Sequence, residues 1–251
     1  MRLDDLLFSQ GFGTRRVCAG LIQQGLVTVE GAICDDPGAD VQPEGLGYTV
    51  QGVPWLYQRL AYVMLHKPAG TECSQKPSTY PSVYTLLPAP LRQRPNKGAV
   101  NGVQAVGRLD QDTTGLLLLT DDGKFIHRMA SPRHHVPKVY EVVTRHPVDA
   151  AQLGRLLEGV LLEDERVPVR AAACEQTGER ALRMTLTEGK YHQVKRMVAA
   201  AGNRVEALHR SRIGVLELPP ELEPGQWRWL TEAEVRALMA APAPARAGAA
   251  G

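Results

Sequence analysis

Residues 107–120, Gly-Arg-Leu-Asp-Gln-Asp-Thr-Thr-Gly-Leu-Leu-Leu-Leu-Thr, constrain this 251-residue chain more than any other stretch. An acidic, glycine-bounded turn runs directly into an apolar strand. The turn sets Asp110 at the mouth of that strand, where a cleft would lie. The same pattern also suits a surface turn closed by an aspartate cap, so the spacing by itself leaves two roles for Asp110.

Around this stretch the chain reads as two regions and a tail. Residues 3–9 and 14–25 have the pattern of short helices, with Thr14 as N-cap and Gly25 as the stop. Leu26–Val29 reads as a strand, turned by Glu30-Gly31 into Ala32-Ile33, and a further strand ends near Val50. This α-α-β region closes around Leu56, and a boundary is drawn at residue 57. From 58 to 240 strands are predicted at 62–66, 103–106, 115–119, 138–144, 169–174, 181–187, 205–209 and 226–230. Helices are predicted at 123–130, 149–160, 190–201 and 231–240, the last opened by the capping box Thr231–Glu234. Residues 88–104, rich in Pro, Gly, Asn and Arg, read as a long basic surface loop. Strands and helices without strict βαβ alternation make the fold class α+β. Residues 241–251 are Ala, Pro, Gly and one Arg, which cannot build a core, and read as a disordered tail.

Net charge is only +2, but it is unevenly spread. Residues 1–60 hold four Arg/Lys against seven acids, whereas residues 180–212 hold eight against two. Positive potential concentrated in this way attracts a polyanion even when the whole molecule is near neutral. The four cysteines form no C-x-x-C pair, so neither a zinc knuckle nor a dithiol site is signalled. No apolar run approaches the ~18 residues of a membrane span. The acidic start, Met1–Asp5, lacks a signal core, and the chain reads as cytoplasmic.

The wording of the central stretch, Gly-Arg-Leu-Asp-x-x-Thr-x-Gly-Leu-Leu-Leu-x-Thr, resembles the catalytic motif of pseudouridine synthases of the RsuA type. Arg2-Leu3-Asp4, Gly13–Arg16 and Gly25–Gly31 resemble an S4 RNA-binding domain. Lys138–Val142 is similar to the family's second motif, and Glu188–Met197 with Leu208-His209-Arg210 and Ile213-Gly214 to its third. Four segments in the family's order span nearly the whole chain. The resemblance implies a small S4-like domain followed by a larger mixed, mainly antiparallel β-sheet catalytic domain with flanking helices. Asp112–Gly115 and Ser131–His135 resemble the branch that modifies 16S ribosomal RNA at position 516. The large-subunit 23S branches and a non-catalytic ribosome-assembly factor are the alternatives.

Pseudouridine formation breaks the N1–C1′ bond, turns the base and rejoins it through C5. It needs no redox step or group donor, hence no cofactor. The resemblance implies Asp110 as nucleophile, with attack at C1′ or C6 left open, and Lys195 as the cation that keeps the carboxylate ionised. A solvated basic helix face is the competing reading of Lys195. Val194, Met197, Val198 and Ala201 form the buried stripe of that helix. Tyr140 is the candidate to stack on the everted uracil and to take the C5 proton. Val139 and Tyr140 point to opposite faces of a strand, so one faces the core. Leu208 or Ile213 supplies the apolar wall. Arg108, Arg133, His134, Lys138, His192, Arg196 and Arg210 are candidates for RNA contact, with Arg15 and Arg16 at the head of the second helix. A metal site using His134, His135, His192 and His209 is disfavoured, since adjacent histidines lack helical ligand spacing and no Cys or acid cluster completes a set. The expected partner is ribosomal RNA or a partly assembled small subunit, met by a monomer.

Overall fold

The computed structural model describes residues 1–96 and 101–240, so the predicted tail and part of the predicted basic loop lie outside the described residues. Helices α1 (Leu3–Ser9) and α2 (Arg15–Gln23) form where the leucine spacing and the Thr14 cap predict. Thr14 Oγ1 accepts the amide of Val17 at 3.3 Å. Strands β1 (Val27–Val29), β2 (Ala32–Ile33), β3 (Gly47–Val50) and β4 (Val53–Leu56) make one antiparallel sheet in the order β2-β1-β3-β4. The helices bury Leu3, Leu6, Leu7 and Ile22 against Val27, Tyr48 and Val50 of the sheet. Strand β4 has no signature in the sequence, because its Pro54 and its largely exposed residues give no alternation.

Strand β5 (Tyr62–Lys67) follows, and then α3 (Ala89–Gln93), inside the segment predicted to be a surface loop. The segment is not a solvated loop throughout. Leu91 and Arg94 are buried, because the Arg94 guanidinium donates to Asp121 Oδ2 at 2.7 Å, to Gln10 Oε1 at 3.1 Å and to the Gln58 carbonyl at 2.7 Å. Residues 84–96, 101–104 and 119–122 therefore join residues 1–62 in one compact unit.

The second unit comprises residues 63–83, 105–118 and 123–240. The chain's further elements are β6 (Gln104–Ala105), β7 (Thr114–Thr120), α4 (Gly123–Ala130), β8 (Lys138–Thr144), α5 (Ala150–Glu158), β9 (Ala173–Gly178), β10 (Ala181–Leu186), α6 (Gln193–Ala200), β11 (Val205–Ile213), β12 (Leu216–Glu217), β13 (Trp227–Trp229) and α7 (Glu232–Ala240). The strand order is β13-β5-β7-β11-β8-β10-β9, with β6 on β7 and β12 on β11. The β7–β11 pair is parallel, whereas β8, β10, β9 and β13 pair antiparallel with their partners, so the sheet is mixed and mainly antiparallel. The capping box closes α7 reciprocally, with Thr231 N to Glu234 Oε2 at 2.8 Å and Glu234 N to Thr231 Oγ1 at 3.2 Å.

Three expectations shift. The strand placed at 169–174 lies at 173–178, where an edge strand of polar residues carries no apolar alternation. The helix placed at 190–201 starts at Gln193, because His192 sits in the left-handed region at φ 46°. Strand β11 runs on to Ile213, past the predicted end at 209. Among the described residues no helix is long and apolar enough to cross a membrane.

Candidate active site

A cavity of about 820 Å³ opens in the second unit at the mouth of β7. The turn before the strand supplies Arg108, Asp110 and Asp112, β8 supplies Lys138 and Tyr140, the 188–192 segment with α6 supplies Tyr191, His192 and Lys195, and β11 supplies Leu208, Arg210 and Ile213.

The turn is shaped from below. Lys67 is completely buried, and its ammonium donates to the carbonyls of Thr113 at 2.9 Å, Pro68 at 3.0 Å and Gln111 at 3.3 Å. Burial pushes its pKa below the ordinary lysine value. Gly115 then lets β7 approach β11. It adopts φ 112°, and a Cβ there would lie 2.3 Å from the Arg210 carbonyl oxygen. The motif glycine is thus a backbone requirement of this strand pair.

Asp110 is partly exposed and meets two basic groups. His192 Nε2 lies 3.3 Å from Oδ1, and Lys195 Nζ lies 3.3 Å from Oδ2. Lys195 also donates to Asp112 Oδ1 at 2.6 Å, so it bridges both carboxylates of the turn. Burial opposes the Lys195 charge, but the hydrogen bond to Asp112 and the nearby Asp110 outweigh it and hold its pKa above the ordinary value. Burial likewise works against the Asp112 charge, and Lys195 outweighs it, holding that carboxyl below its usual range. A carboxylate between two basic side chains, opening on a cavity, can act as a nucleophile or stabilise a developing cation.

Tyr140 is buried and lines the cavity, while Val139 lines a different pocket with Glu141 and Ser211. Leu208 and Ile213 both wall the cavity, although their spacing puts them on opposite faces of a regular strand. A register shift between Arg210 and Arg212 reconciles the two.

The candidates for RNA contact divide. Arg108 is exposed at the cavity, and Arg133 is exposed outside it. His134 is half-buried, 5.7 Å edge-to-face from His127. Arg210 is not a surface group: it is 3% exposed, Nε donates to the Leu116 carbonyl at 2.8 Å, and Nη2 has no hydrogen-bond partner among the described residues. Lys138 is also buried, and burial together with Arg210 pushes its pKa down to about 8. Arg196 pairs with Asp164 and donates to the Tyr191 carbonyl at 3.1 Å, so it braces the 188–192 segment. In the first unit Arg2 pairs with Asp4 and Arg15 with Asp5, whereas Arg16 is exposed and has no ion pair among the described residues. His209 shares a 2.9 Å hydrogen bond with Thr114 Oγ1, and burial and the neighbouring His66 lower its pKa, which suits a neutral ring.

Sequence reasoning missed three residues. Lys67 reads only as the end of a strand. Gln193 braces its segment, accepting from Lys190 N at 2.8 Å and donating to Glu188 at 2.9 Å. Glu72 accepts the amides of Tyr80 and Thr79 at 2.9 Å and of Ser78 at 3.0 Å, which hold its pKa near 2 and fix a loop at the cavity rim. The Lys67-Pro68 pair at the end of the strand is the available signal, and by itself it reads as a strand stop.

Residues 61–200 match the family described as RNA pseudouridylate synthase, and residues 1–45 match the S4 domain. The chain is 39% identical over 236 residues to the ribosomal small subunit pseudouridine synthase A of Pasteurella multocida (strain Pm70), covering 94% of this chain and 98% of that protein. It is 40% identical over 241 residues to the protein of the same name from Escherichia coli (strain K12), covering 95% and 100%. A crystal structure of a pseudouridylate synthase matches with a TM-score of 0.65 at 36% identity, over 95% of this chain and 99% of that one.

Proposed function

The chain belongs to the RNA pseudouridylate synthase family, and from that premise we propose that it isomerises a uridine of small-subunit ribosomal RNA, with Asp110 as the nucleophile. The names of relatives that match it along nearly their full length support this substrate. The observation that carries the nucleophile is the Asp110 carboxylate, 3.3 Å from both Lys195 Nζ and His192 Nε2 at the wall of the cavity.

In the proposed reaction the target uridine leaves its stack and enters the cavity, where the Tyr140 ring takes the place of its lost neighbours. The Asp110 carboxylate attacks, the N1–C1′ bond breaks, and the base turns. C5 bonds to C1′, and Asp110 is released. The C5 proton passes to the Tyr140 oxygen as the phenol gives up its own proton, and N1 takes up one proton in exchange, so atoms and charge balance without a donor or oxidant. Lys195 pairs with Asp110, and Asp112 keeps Lys195 in place. Residues 1–57 dock the RNA, with Arg16 as the cation free to meet a phosphate. The protein works as a cytoplasmic monomer, on ribosomal RNA or a partly assembled small subunit.

The test is Asp110→Asn, read by melting temperature, RNA affinity and mass-neutral pseudouridine mapping of 16S ribosomal RNA. The expected variant folds, binds RNA and yields no product. Product at the wild-type rate overturns the assignment of Asp110. If the wild-type protein itself modifies only 23S ribosomal RNA, the small-subunit assignment falls.

A further inference from the structure

Tyr191 is the most exposed large hydrophobic side chain among the described residues, at 76%, and it stands at the rim of the cavity that holds Asp110. Its ring lies on the imidazole of His192, with centroids 3.8 Å apart and planes 18° from parallel. One face is therefore covered and the other is open. His192 adopts a left-handed backbone conformation at φ 46°, uncommon for a residue with a side chain. The segment is braced from several sides. Arg196 holds the Tyr191 carbonyl, Gln193 holds the Lys190 amide, and the Lys190 ammonium lies 2.8 Å from Glu165. A strained, braced turn that displays an aromatic ring to water gains nothing from the packing of the protein itself, and strain of this kind concentrates at ligand sites.

We propose that Tyr191, backed by His192, is a stacking platform for an RNA base that flanks the target uridine. This rests on the reading of the protein as an RNA-modifying enzyme. A base has a π-face whatever its identity, so an open ring in a basic stretch suits RNA without demanding a sequence. The target base itself is excluded by depth: it must reach Asp110 and the buried Tyr140, whereas Tyr191 stands in solvent. Everting the target strips a stacking partner from its neighbour, and Tyr191 supplies a replacement. The platform also meets the chemistry, because the imidazole under Tyr191 is the one that lies 3.3 Å from Asp110.

The experiment compares the full-length protein with Tyr191→Phe and Tyr191→Leu. Affinity is measured without turnover, on an unstructured oligouridylate and on its abasic counterpart. The leucine variant should bind oligouridylate about 5- to 150-fold more weakly, and the phenylalanine variant within about twofold of wild type. On the abasic strand all three should bind alike. Full affinity of the leucine variant for oligouridylate overturns the proposal, as does an equal loss on the abasic strand. On ribosomal RNA the loss should fall on KM, and a loss confined to kcat overturns the flanking assignment. Because affinity is read separately from product, failure of the isomerase reading leaves this test standing.

Discussion

The ammonium of Lys67 donates 2.9 Å to the carbonyl of Thr113, three residues beyond Asp110, from a side chain with no solvent exposure at all. With its bonds to Gln111 and Pro68 it gathers the backbone of the turn from within, so the direction of Asp110 depends on a cation that never meets the substrate.

Lys67→Met keeps the bulk and removes the donor. It relieves the desolvation of a buried charge but takes the donor from the Thr113 carbonyl, a loss of about 1–3 kcal/mol for an unsatisfied group, whereas the Gln111 and Pro68 carbonyls keep the Gly70 amide at 2.8 Å and the Thr71 hydroxyl at 3.1 Å. The expected variant melts lower, retains RNA affinity and loses at least about tenfold in kcat, since misplacement by an ångström is enough for that. Single-turnover rates beside a melting curve check this. A normal kcat would show that the turn holds its shape without Lys67.

How far this site was legible in the sequence depends on where side-chain period holds. Along β8 it holds, so the choice between Val139 and Tyr140 was a real one, and the structure turns Tyr140 to the cavity. Along β11 it fails. The sequence leaves Leu208 and Ile213 as alternatives for the apolar wall, and their odd spacing sets them on opposite faces of a regular strand, yet the irregularity between Arg210 and Arg212 lets both line the cavity. A bulge leaves no mark in an apolar pattern. Lys195 was legible only through the motif, and its stronger bond goes to Asp112, which the motif did not single out. Arg94 was hidden for a different reason. A Pro- and Arg-rich segment suggests a solvated loop, and only tertiary structure brings Asp121 to the guanidinium.

That pair carries the second prediction. Arg94 and Asp121 are both nearly inaccessible and 2.7 Å apart. Removing one partner of a buried pair leaves an uncompensated charge, a loss of about 3–5 kcal/mol. Asp121→Leu and Arg94→Met should each lose stability on that scale in urea unfolding, and the double variant should lose much less than the sum. Additive losses would mean that the hydrogen bonds of Arg94 to Gln10 and Gln58 matter more than its charge partner.

Lys138 gives the last prediction, and its sign follows from burial. The folded protein lowers this pKa from 10.5 to about 8, so the native state disfavours the charged form. Below pH 8 the side chain is protonated in both folded and unfolded chains, and the full penalty applies, about 3 kcal/mol at 1.36 kcal/mol per unit. Between pH 8 and 10.5 the unfolded chain binds more protons than the native one, so this contribution to stability rises with pH. Lys138→Met should therefore be more stable than wild type at pH 7, and the difference should shrink toward zero as pH approaches 10.5. Urea midpoints measured across that range test it. An RNA phosphate near Lys138 would favour the charged form, so bound RNA should move the transition upward, and wild-type affinity should fall more steeply above pH 8 than that of the variant. A stability difference that stays constant from pH 7 to 10 would mean that Lys138 is not held against its charge.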